Sequence, residues 1–361
     1  MSRPHRFVNA TRRALKEALE HCSDRVVLVG VSGGSDSMAL AATLAFVAPK
    51  LGILVHAVCV DHGIRPESVQ EAAFVRDILR KRGVPVEVCR VDVDGSSGPE
   101  GNAREARYDA IATYARSLGN AAGPAVVFLG HTQNDQAETV LMGFARGSGA
   151  KSIAGMPAVG HLPLHRDVPM QRPFLEFTRD ELRTVCSELD VPWVDDPSND
   201  LDGPWTCSDG SPLRRSAVRH RILPELQDVL GSGTIGAIAR TASMLQADNA
   251  ALQHYARIEL ERVCTSRNPI TLDCESLKDV PEAVRRRTLK YAVEESGVRG
   301  GELVYWHIAG LDKLITEHIN KRGLDLPGVR AWRERNLLRL EPGAQSTSTA
   351  NTAAQAPMED K

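Results

Sequence analysis

The sequence predicts an α/β protein with a doubly wound parallel sheet, followed by a second, smaller and mostly helical domain. Two observations predict the sheet. Short apolar runs alternate with helix-like segments along the first half of the chain, which is typical of repeated β-α-β units. The first run, residues 26–31, is continuously apolar, as a strand covered on both faces should be. In such sheets ligands bind at the carboxyl ends of the strands.

The predicted elements alternate in order along the chain. Two helices are expected to open with a capping box, one at Ser68 and Glu71 and one at Thr178 and Glu181. A Gly- and Ser-rich loop is expected over 94–101. We predict strands over 26–31, 51–60, 84–88, 125–129 and 337–340, helices over 38–47, 68–83, 103–118 and 178–189, and a mostly helical pattern over 217–300.

The domain boundary is placed at the end of a Gly-, Pro- and Ser-rich stretch, residues 200–212. This gives a catalytic domain over 1–212, a mostly helical domain over 213–342 and a disordered tail over 343–361. Residues 212–340 hold 21 Lys and Arg against 16 Asp and Glu, a charge of +5, which leaves −7 for the rest of the chain. The asymmetry fits a catalytic domain beside one that grips a polyanion, although solvated basic helix faces would look the same.

Composition excludes several classes of protein. No apolar run approaches the roughly 18 residues that a membrane span needs, and residues 1–9 are polar and basic, so we expect no membrane span and no signal peptide. The seven Cys are scattered and form no C-x-x-C pair. That usage indicates reduced thiols in a cytoplasmic protein rather than a disulfide or zinc framework.

The loop after the first predicted strand is the centre of the functional prediction. It reads Ser32-Gly33-Gly34-Ser35-Asp36-Ser37 and runs into a helix. Glycines allow close approach to an anion, the serines can donate hydrogen bonds, and a helix N-terminus favours phosphate. Asp36 would repel phosphate unless Mg²⁺ lies between them. These residues are therefore predicted to bind ATP, with Asp36 as a metal ligand. The alternative is a turn that merely joins strand to helix; a Walker P-loop is excluded because the loop has no Lys.

A second polar group follows the strand that ends at residue 129. Asp135, Glu138 and Thr139 are three and four residues apart, so they share one helix face. Asp135 is placed to share a metal with Asp36. The alternative is an ordinary exposed helix with a capped end.

These motifs resemble a known family. The Ser32–Ser37 loop resembles the S-G-G-x-D-S signature of PP-loop ATP pyrophosphatases, which implies the PP-loop or HUP-like fold. Residues 131–139, with Arg146-Gly147-Ser148-Gly149 after them, are similar to the H-x-x-D-D-Q-A-E-T…R-G-S-G stretch of the tRNA(Ile)-lysidine synthetase family. Further matches follow in the same order at 60–68, 101–108, 172–175, 195–199 and 215–224.

The resemblance implies an activity. ATP, with Mg²⁺, would adenylate the wobble cytidine of the isoleucine tRNA with a CAU anticodon, and free L-lysine would then displace AMP to form lysidine. The implied catalytic residues are Asp36, Asp135, Arg104 and Glu138, with Glu138 beside the lysine ammonium group. His131, Arg146 and Gly147 would add ATP contacts, and Arg215 and Arg219 tRNA contacts. The charge asymmetry adds the basic run Arg285, Arg286 and Arg287 as a predicted tRNA surface.

The sequence departs from the family pattern in three places. Asn134 replaces the first of two acids, so we expect one carboxylate there, Asp135. Ser216 and Ala217 replace polar and basic residues, and the loop over 201–213 is longer than expected. Two other functions stay open: a PP-loop tRNA thiolase, which would usually need extra cysteines, and a nucleotide switch without group transfer. The sequence leaves the oligomeric state open, with a homodimer as one option.

Overall fold

A six-stranded sheet forms the centre of the N-terminal part of the chain. Its strands lie in the order β3-β2-β1-β4-β6-β5. All neighbouring strands are parallel except β5 and β6, which are antiparallel. The predicted α/β sheet is confirmed, and β5 and β6 add an edge that the sequence patterns did not indicate. The strands are β1 (Val27–Val31), β2 (Val55–Asp61), β3 (Val86–Arg90), β4 (Val126–Leu129), β5 (Val159–Leu162) and β6 (His165–Gln171).

The computed structural model describes residues 4–22, 24–63, 67–91, 99–147, 149–197, 200–203, 205–207, 209–298, 302–317 and 323–342. Several predicted features lie outside the described residues, namely 64–66 of the motif at 60–68, most of the loop over 94–101, Ser148, residues 198–199 and the tail over 343–361.

Helices cover both faces of the sheet, and successive residues of β1 therefore pack into two different cores. Val27, Val29 and Val31 pack with one set of helices, and Leu28 packs with another. The first set is α1 (Arg6–Leu19), α2 (Ser35–Val47), α3 (Ser68–Arg80) and α7 (Arg179–Glu188); α4 (Pro99–Ser117) covers the other face, and α5 (Gln133–Arg146) and α6 (Ala150–Ile153) follow β4.

Of the two predicted capping boxes, one is present in the structure and the other is not. The capping box at Thr178 and Glu181 is present at the start of α7. The one at Ser68 is not: Glu67 occupies the N-cap position of α3 without a side-chain cap, and the Ser68 side chain hydrogen-bonds to Asp61. Helix α1 was not predicted, although its buried residues lie three or four apart.

The chain divides into two compact units, Met1–Gln246 and Ala247–Lys361. The predicted boundary at 212/213 lies inside the first unit. The reason is an apolar cluster in which Ala137 of α5 packs with Leu223 and Ile235. The elements beyond 212 are α8 (Arg214–Ala217), a π-helical turn (Val218–Ile222), α9 (Leu223–Leu230) and α10 (Thr234–Val263), which contains the boundary.

The second unit combines helices with an antiparallel sheet. The sheet has five strands in the order β7-β8-β11-β10-β9, whereas the sequence patterns predicted only the last one. Its strands are β7 (Cys264–Arg267), β8 (Ile270–Asp273), β9 (Leu324–Leu326), β10 (Val329–Glu334) and β11 (Leu337–Pro342), and its helices after α10 are α11 (Cys274–Lys278), α12 (Glu282–Glu295) and α13 (Tyr305–Thr316). Within the described part of the chain, no helix is both long enough and apolar enough to cross a membrane.

Candidate active site

The loop between β1 and α2 is built to receive an anion. Gly33 has φ of +88°, a conformation that favours glycine, and a Cβ there would lie 3.1 Å from Val75. Gly34 is the N-cap of α2 and supplies no side chain to the free N–H groups of the first turn. The Ser37 hydroxyl accepts from the Ser32 N–H at 3.2 Å and donates to the Gly34 carbonyl at 3.0 Å. The loop therefore holds its shape internally while the helix N–H groups stay available to a phosphate.

Gly130 brings the end of β4 against the start of α2. A Cβ at Gly130 would lie 3.0 Å from the backbone carbon and oxygen of Asp36 and from the Cα of Ser37. Only glycine fits this contact without a shift of one backbone. The two predicted motifs, on neighbouring parallel strands, therefore meet at the carboxyl edge of the sheet.

Asp135 caps the helix on which it lies. Its Oδ2 accepts from the backbone N–H of Thr132 at 2.8 Å and from the Thr132 hydroxyl at 2.9 Å. The Thr132 hydroxyl in turn accepts from the Asp135 N–H at 3.3 Å. This reciprocal pair satisfies the first turn of α5 and fixes the carboxylate. Its second oxygen, Oδ1, points to two guanidinium groups, those of Arg179 and Arg219, each at 3.5 Å.

Arg179 bridges the two predicted metal ligands. Its Nε donates to Oδ2 of Asp36 at 3.2 Å, and its Nη2 lies 3.5 Å from Oδ1 of Asp135. The two carboxylates predicted to act together are therefore neighbours, and one cation pairs with both. Their role as metal ligands stays a prediction.

The charge state of Asp36 depends on these neighbours. Burial raises the pKa of Asp36 above its ordinary value, Arg179 opposes that rise, and the negative charge of Asp135 adds to it. Arg179 thus helps to keep Asp36 ionised beside a second carboxylate.

Glu138 is fully buried and has arginine partners on both oxygens. Arg215 donates from Nε to Oε2 at 2.9 Å. Arg219 donates from Nε to Oε1 at 2.7 Å and from Nη2 to Oε2 at 3.0 Å. A carboxylate held in this way is already neutralised, so the lysine ammonium group is not assigned to Glu138.

Arg215 and Arg219 therefore lie in the site itself, on α8 and the π-helical turn after it. Their side chains are about one quarter and one fifth exposed, at 25% and 20%. Glu138 accepts from Nε of both arginines and from Nη2 of Arg219, and Nη2 of Arg215 donates to the Thr139 hydroxyl at 3.4 Å. Each guanidinium still carries further N–H groups that can meet a phosphate. Between them Ser216, one of the departures from the family pattern, is buried.

His131 is held as a neutral imidazole. Its Nδ1 accepts from Nε of Arg172 at 3.0 Å, and Arg172 is itself buried and donates to the Pro157 carbonyl at 2.8 Å. Because Nδ1 accepts a hydrogen bond from a guanidinium, we place the ring proton on Nε2. Burial lowers the pKa of His131, Asp135 opposes that effect, and Arg172 adds to it.

The other predicted site residues of the first unit are Arg104, Arg146 and Gly147, and they differ in how near they lie to the His131 and Asp135 segment. Arg104 is exposed on α4, 5.5 Å from the Tyr108 ring, and its charge still acts on His131. Arg146 and Gly147 end α5 at the far side from Asp135, about 16 Å away along the axis at 1.5 Å per residue. The helix thus separates Arg146 and Gly147 from Asp135, and their contact with ATP stays a prediction.

The basic run in the second unit is divided among structural contacts. Arg285 is buried, donates to Asp312 at 2.6 Å and also donates to the Val280 carbonyl at 2.6 Å. Arg286 donates to the same Asp312 at 2.9 Å, and Arg287 donates to Asn249 at 3.1 Å. Arg285 therefore has a structural role, and only Arg286 and Arg287 stay on the predicted tRNA surface.

Sequence reasoning missed Arg179 and Arg172 as site residues. Each lies within a recognised motif. Arg179 is the second residue of the capping box that begins at Thr178, and Arg172 is the first residue of the matched 172–175 stretch. The sequence therefore showed that each arginine belongs to a motif. It did not show which side chain each arginine contacts in the folded protein.

Two family models match the chain. A PP-loop domain covers residues 8–226 and a TilS substrate binding domain covers residues 272–339. The described fold agrees with that of a U34-tRNA thiolase, NcsA from Methanococcus maripaludis, with a TM-score of 0.52 at 19% identity over 66% of this chain and 79% of that one. At this identity the likeness concerns the fold alone.

Curated relatives match over nearly the whole length. The tRNA(Ile)-lysidine synthase of Streptomyces coelicolor is 42% identical over 88% of this chain and 86% of its own. That of Salinispora tropica is 41% identical over 94% and 98%, and that of Thermobifida fusca is 40% identical over 92% and 97%. The two matching domain models and this level of identity lead to one conclusion: the chain belongs to the tRNA(Ile)-lysidine synthase family.

Proposed function

We propose that the protein converts the wobble cytidine of a CAU-anticodon tRNA(Ile) to lysidine. The oxygen on C2 of the cytidine attacks the α-phosphate of ATP, and pyrophosphate leaves. The amino group of free L-lysine then attacks C2, and AMP leaves with that oxygen. The observation that carries the proposal is the meeting of the Ser32–Ser37 loop with Asp36, Asp135 and Arg179 at one edge of the sheet. An anion cradle beside carboxylates and cations suits an adenylation step.

The site fits a divalent metal. Mg²⁺ is usually bound by one or two carboxylates together with substrate phosphates and water. Asp36 and Asp135 supply two neighbouring carboxylates, each partly exposed at 18% and 13%. Among the described residues, no group of three or more Asp, Glu, His or Cys side chains is placed to hold a metal ion by itself. When bound, Mg²⁺ would offset the charge that builds on the departing pyrophosphate.

The protein's own groups have defined tasks in this scheme. The N–H groups at the start of α2 bind phosphate oxygens. The buried Glu138 holds Arg215 and Arg219 in place, and their remaining N–H groups are available to phosphate oxygens. With its proton on Nε2, the neutral His131 ring can donate a hydrogen bond but carries no positive charge. Cations placed before the reaction stabilise developing negative charge without reorganisation.

Three of the seven cysteines are poorly suited to the sulfur transfer that the thiolase alternative requires. Sulfur transfer needs reactive thiolates. Burial raises the pKa of Cys59 and of Cys186 to about 12, and burial also raises the pKa of Cys274 to about 11. These thiols stay protonated and serve the core. A nucleotide switch without group transfer is separated from the synthetase by pyrophosphate release.

Mass spectrometry of nucleosides tests the proposal. The purified full chain is incubated with unmodified CAU-anticodon tRNA, ATP, Mg²⁺ and lysine, and the digested tRNA is searched for lysidine. Pyrophosphate should appear with tRNA and ATP before lysine is added. Omission of lysine or of ATP should abolish lysidine. Pyrophosphate that requires lysine but not tRNA would mean amino-acid activation and would overturn the proposal.

The cellular setting is part of the same proposal. A tRNA substrate and free lysine place the enzyme in the cytoplasm. A homodimer is one assembly that light scattering can test on the full chain.

A further inference from the structure

Asn134 stands where the family pattern has an acid, and it makes a defined contact. Its Oδ1 accepts the backbone N–H of Arg179 at 3.0 Å. That N–H belongs to the first turn of α7 and has no partner within its own helix. Asn134 therefore acts as an additional cap for a helix that follows it by 45 residues.

A second hydrogen bond joins the same two segments. The backbone N–H of Gln133 donates to the carbonyl of Phe177 at 2.8 Å. Together the two bonds fasten the first turn of α5 to the start of α7 on either side of Thr178, which caps α7. The backbone of Arg179 is thus fixed at the point from which its side chain reaches the two carboxylates.

The side chain of Arg179 lies in a mostly buried position, where charge has a large effect. It is 21% exposed, against 18% for Asp36 and 13% for Asp135. Three acids of the site are matched by three arginines, namely Asp36, Asp135 and Glu138 with Arg179, Arg215 and Arg219. An aspartate at 134 would accept the same backbone bond but would add a negative charge that no arginine of this set offsets.

We propose that Asn134 is a positioning residue for Arg179, and that through it Asn134 sets how tightly Asp36 and Asp135 bind a divalent cation. This rests on the proposed function, in which the two acids hold Mg²⁺. The guanidinium group and the metal are alternative partners of the same carboxylate oxygens. Pairing with one therefore opposes binding of the other, by the same free energy in both directions.

Binding of Mn²⁺ alone, measured on the full chain by electron paramagnetic resonance, tests this without any turnover. Arg179→Gln should bind Mn²⁺ about fivefold or more tightly than the unchanged protein, because a competing cation is removed. Asn134→Leu should change the affinity in the same direction by a smaller factor. The double variant should match Arg179→Gln alone, since Asn134 acts through Arg179. Arg183→Gln, one turn further along α7 in an exposed pair with Asp195, is the matched control and should change nothing.

Other results would overturn the inference. They are additive effects of the two substitutions, unchanged Mn²⁺ affinity in Asn134→Leu, and no Mn²⁺ binding by any variant. Asn134→Ala serves as the second variant if the leucine disturbs folding, judged by circular dichroism. Lysidine formation by the unchanged protein is scored separately, so failure of the proposed function and failure of this inference give different patterns.

Discussion

Arg219 forms a two-point pair with the buried carboxylate of Glu138, at 2.7 Å from Nε to Oε1 and 3.0 Å from Nη2 to Oε2. The contact joins the turn after α8 to α5, across 81 residues of sequence. Glu138, an acid of the matched motif, therefore holds the side chains of Arg215 and Arg219 in place.

Glu138→Ala should destabilise the protein by about 3–5 kcal/mol, because it removes the carboxylate with which both Arg215 and Arg219 pair in a mostly buried place. Glu138→Gln should cost less, since an amide oxygen can still accept. Urea unfolding followed by circular dichroism measures both. Asp195→Ala, which breaks an exposed pair with Arg183, is the control and should cost no more than about 1 kcal/mol. A Glu138→Ala protein as stable as this control would contradict the assignment.

Asp36→Asn and Asp135→Asn should each lower pyrophosphate release by about 10²-fold or more, since metal charge stabilisation contributes several kcal/mol. Both variants should fold, because asparagine preserves the shape and can still accept a hydrogen bond. The matched control is Asp167→Asn, which removes an exposed acid paired with Arg116. Near-normal pyrophosphate release by either site variant would remove that residue from the metal site.

The predicted tRNA surface in the second unit can now be tested residue by residue. Arg286→Gln with Arg287→Gln should weaken tRNA binding and flatten its salt dependence, by a slope of about 0.7 to 0.9 for each phosphate that is no longer neutralised. Arg285→Ala should instead lower stability by about 3–5 kcal/mol, since it leaves Asp312 buried with one partner fewer. Filter binding at two salt concentrations and urea unfolding separate these outcomes. Unchanged tRNA affinity at both concentrations would remove Arg286 and Arg287 from the surface.

His62 should make stability depend on pH. Burial and the neighbouring charge of Arg107 lower the pKa of His62 to about 4, while an unfolded histidine titrates near about 6.5. Between these values the unfolded chain binds a proton that the folded protein does not. Stability should therefore fall as pH falls from about 6.5 to about 4. In His62→Gln the fall in Tm over this range should be shallower; identical slopes in both proteins would show that His62 does not titrate in this way.

The sequence predicted the sheet and its functional edge because both follow from general rules. Continuous apolar runs mark buried parallel strands, and motifs at their carboxyl ends must meet. Asp36 and Asp135 were expected to be neighbours for that reason, and they are. The short strands β7 to β10 were missed because runs of three to six residues carry little periodic signal.

Side-chain partners could not be read in the same way. Arg179 reaches Asp36 across 143 residues of sequence, and nothing local indicates that contact. Arg146 was placed in the site because it belongs to the same motif as Asp135, yet the intervening helix carries it to the other end. Motif membership shows that residues matter together, whereas their distance depends on the element between them.

The contact at Gly130 has a consequence for how this protein can vary. The separation between the phosphate loop and the His131 segment is set by main chain against main chain, with no side chain in between. Substitutions of neighbouring core residues can therefore change the packing without altering the distance between these two segments. In a library randomised at position 130, selection for activity should return glycine almost alone. The same library at an exposed position of α1 should tolerate most residues.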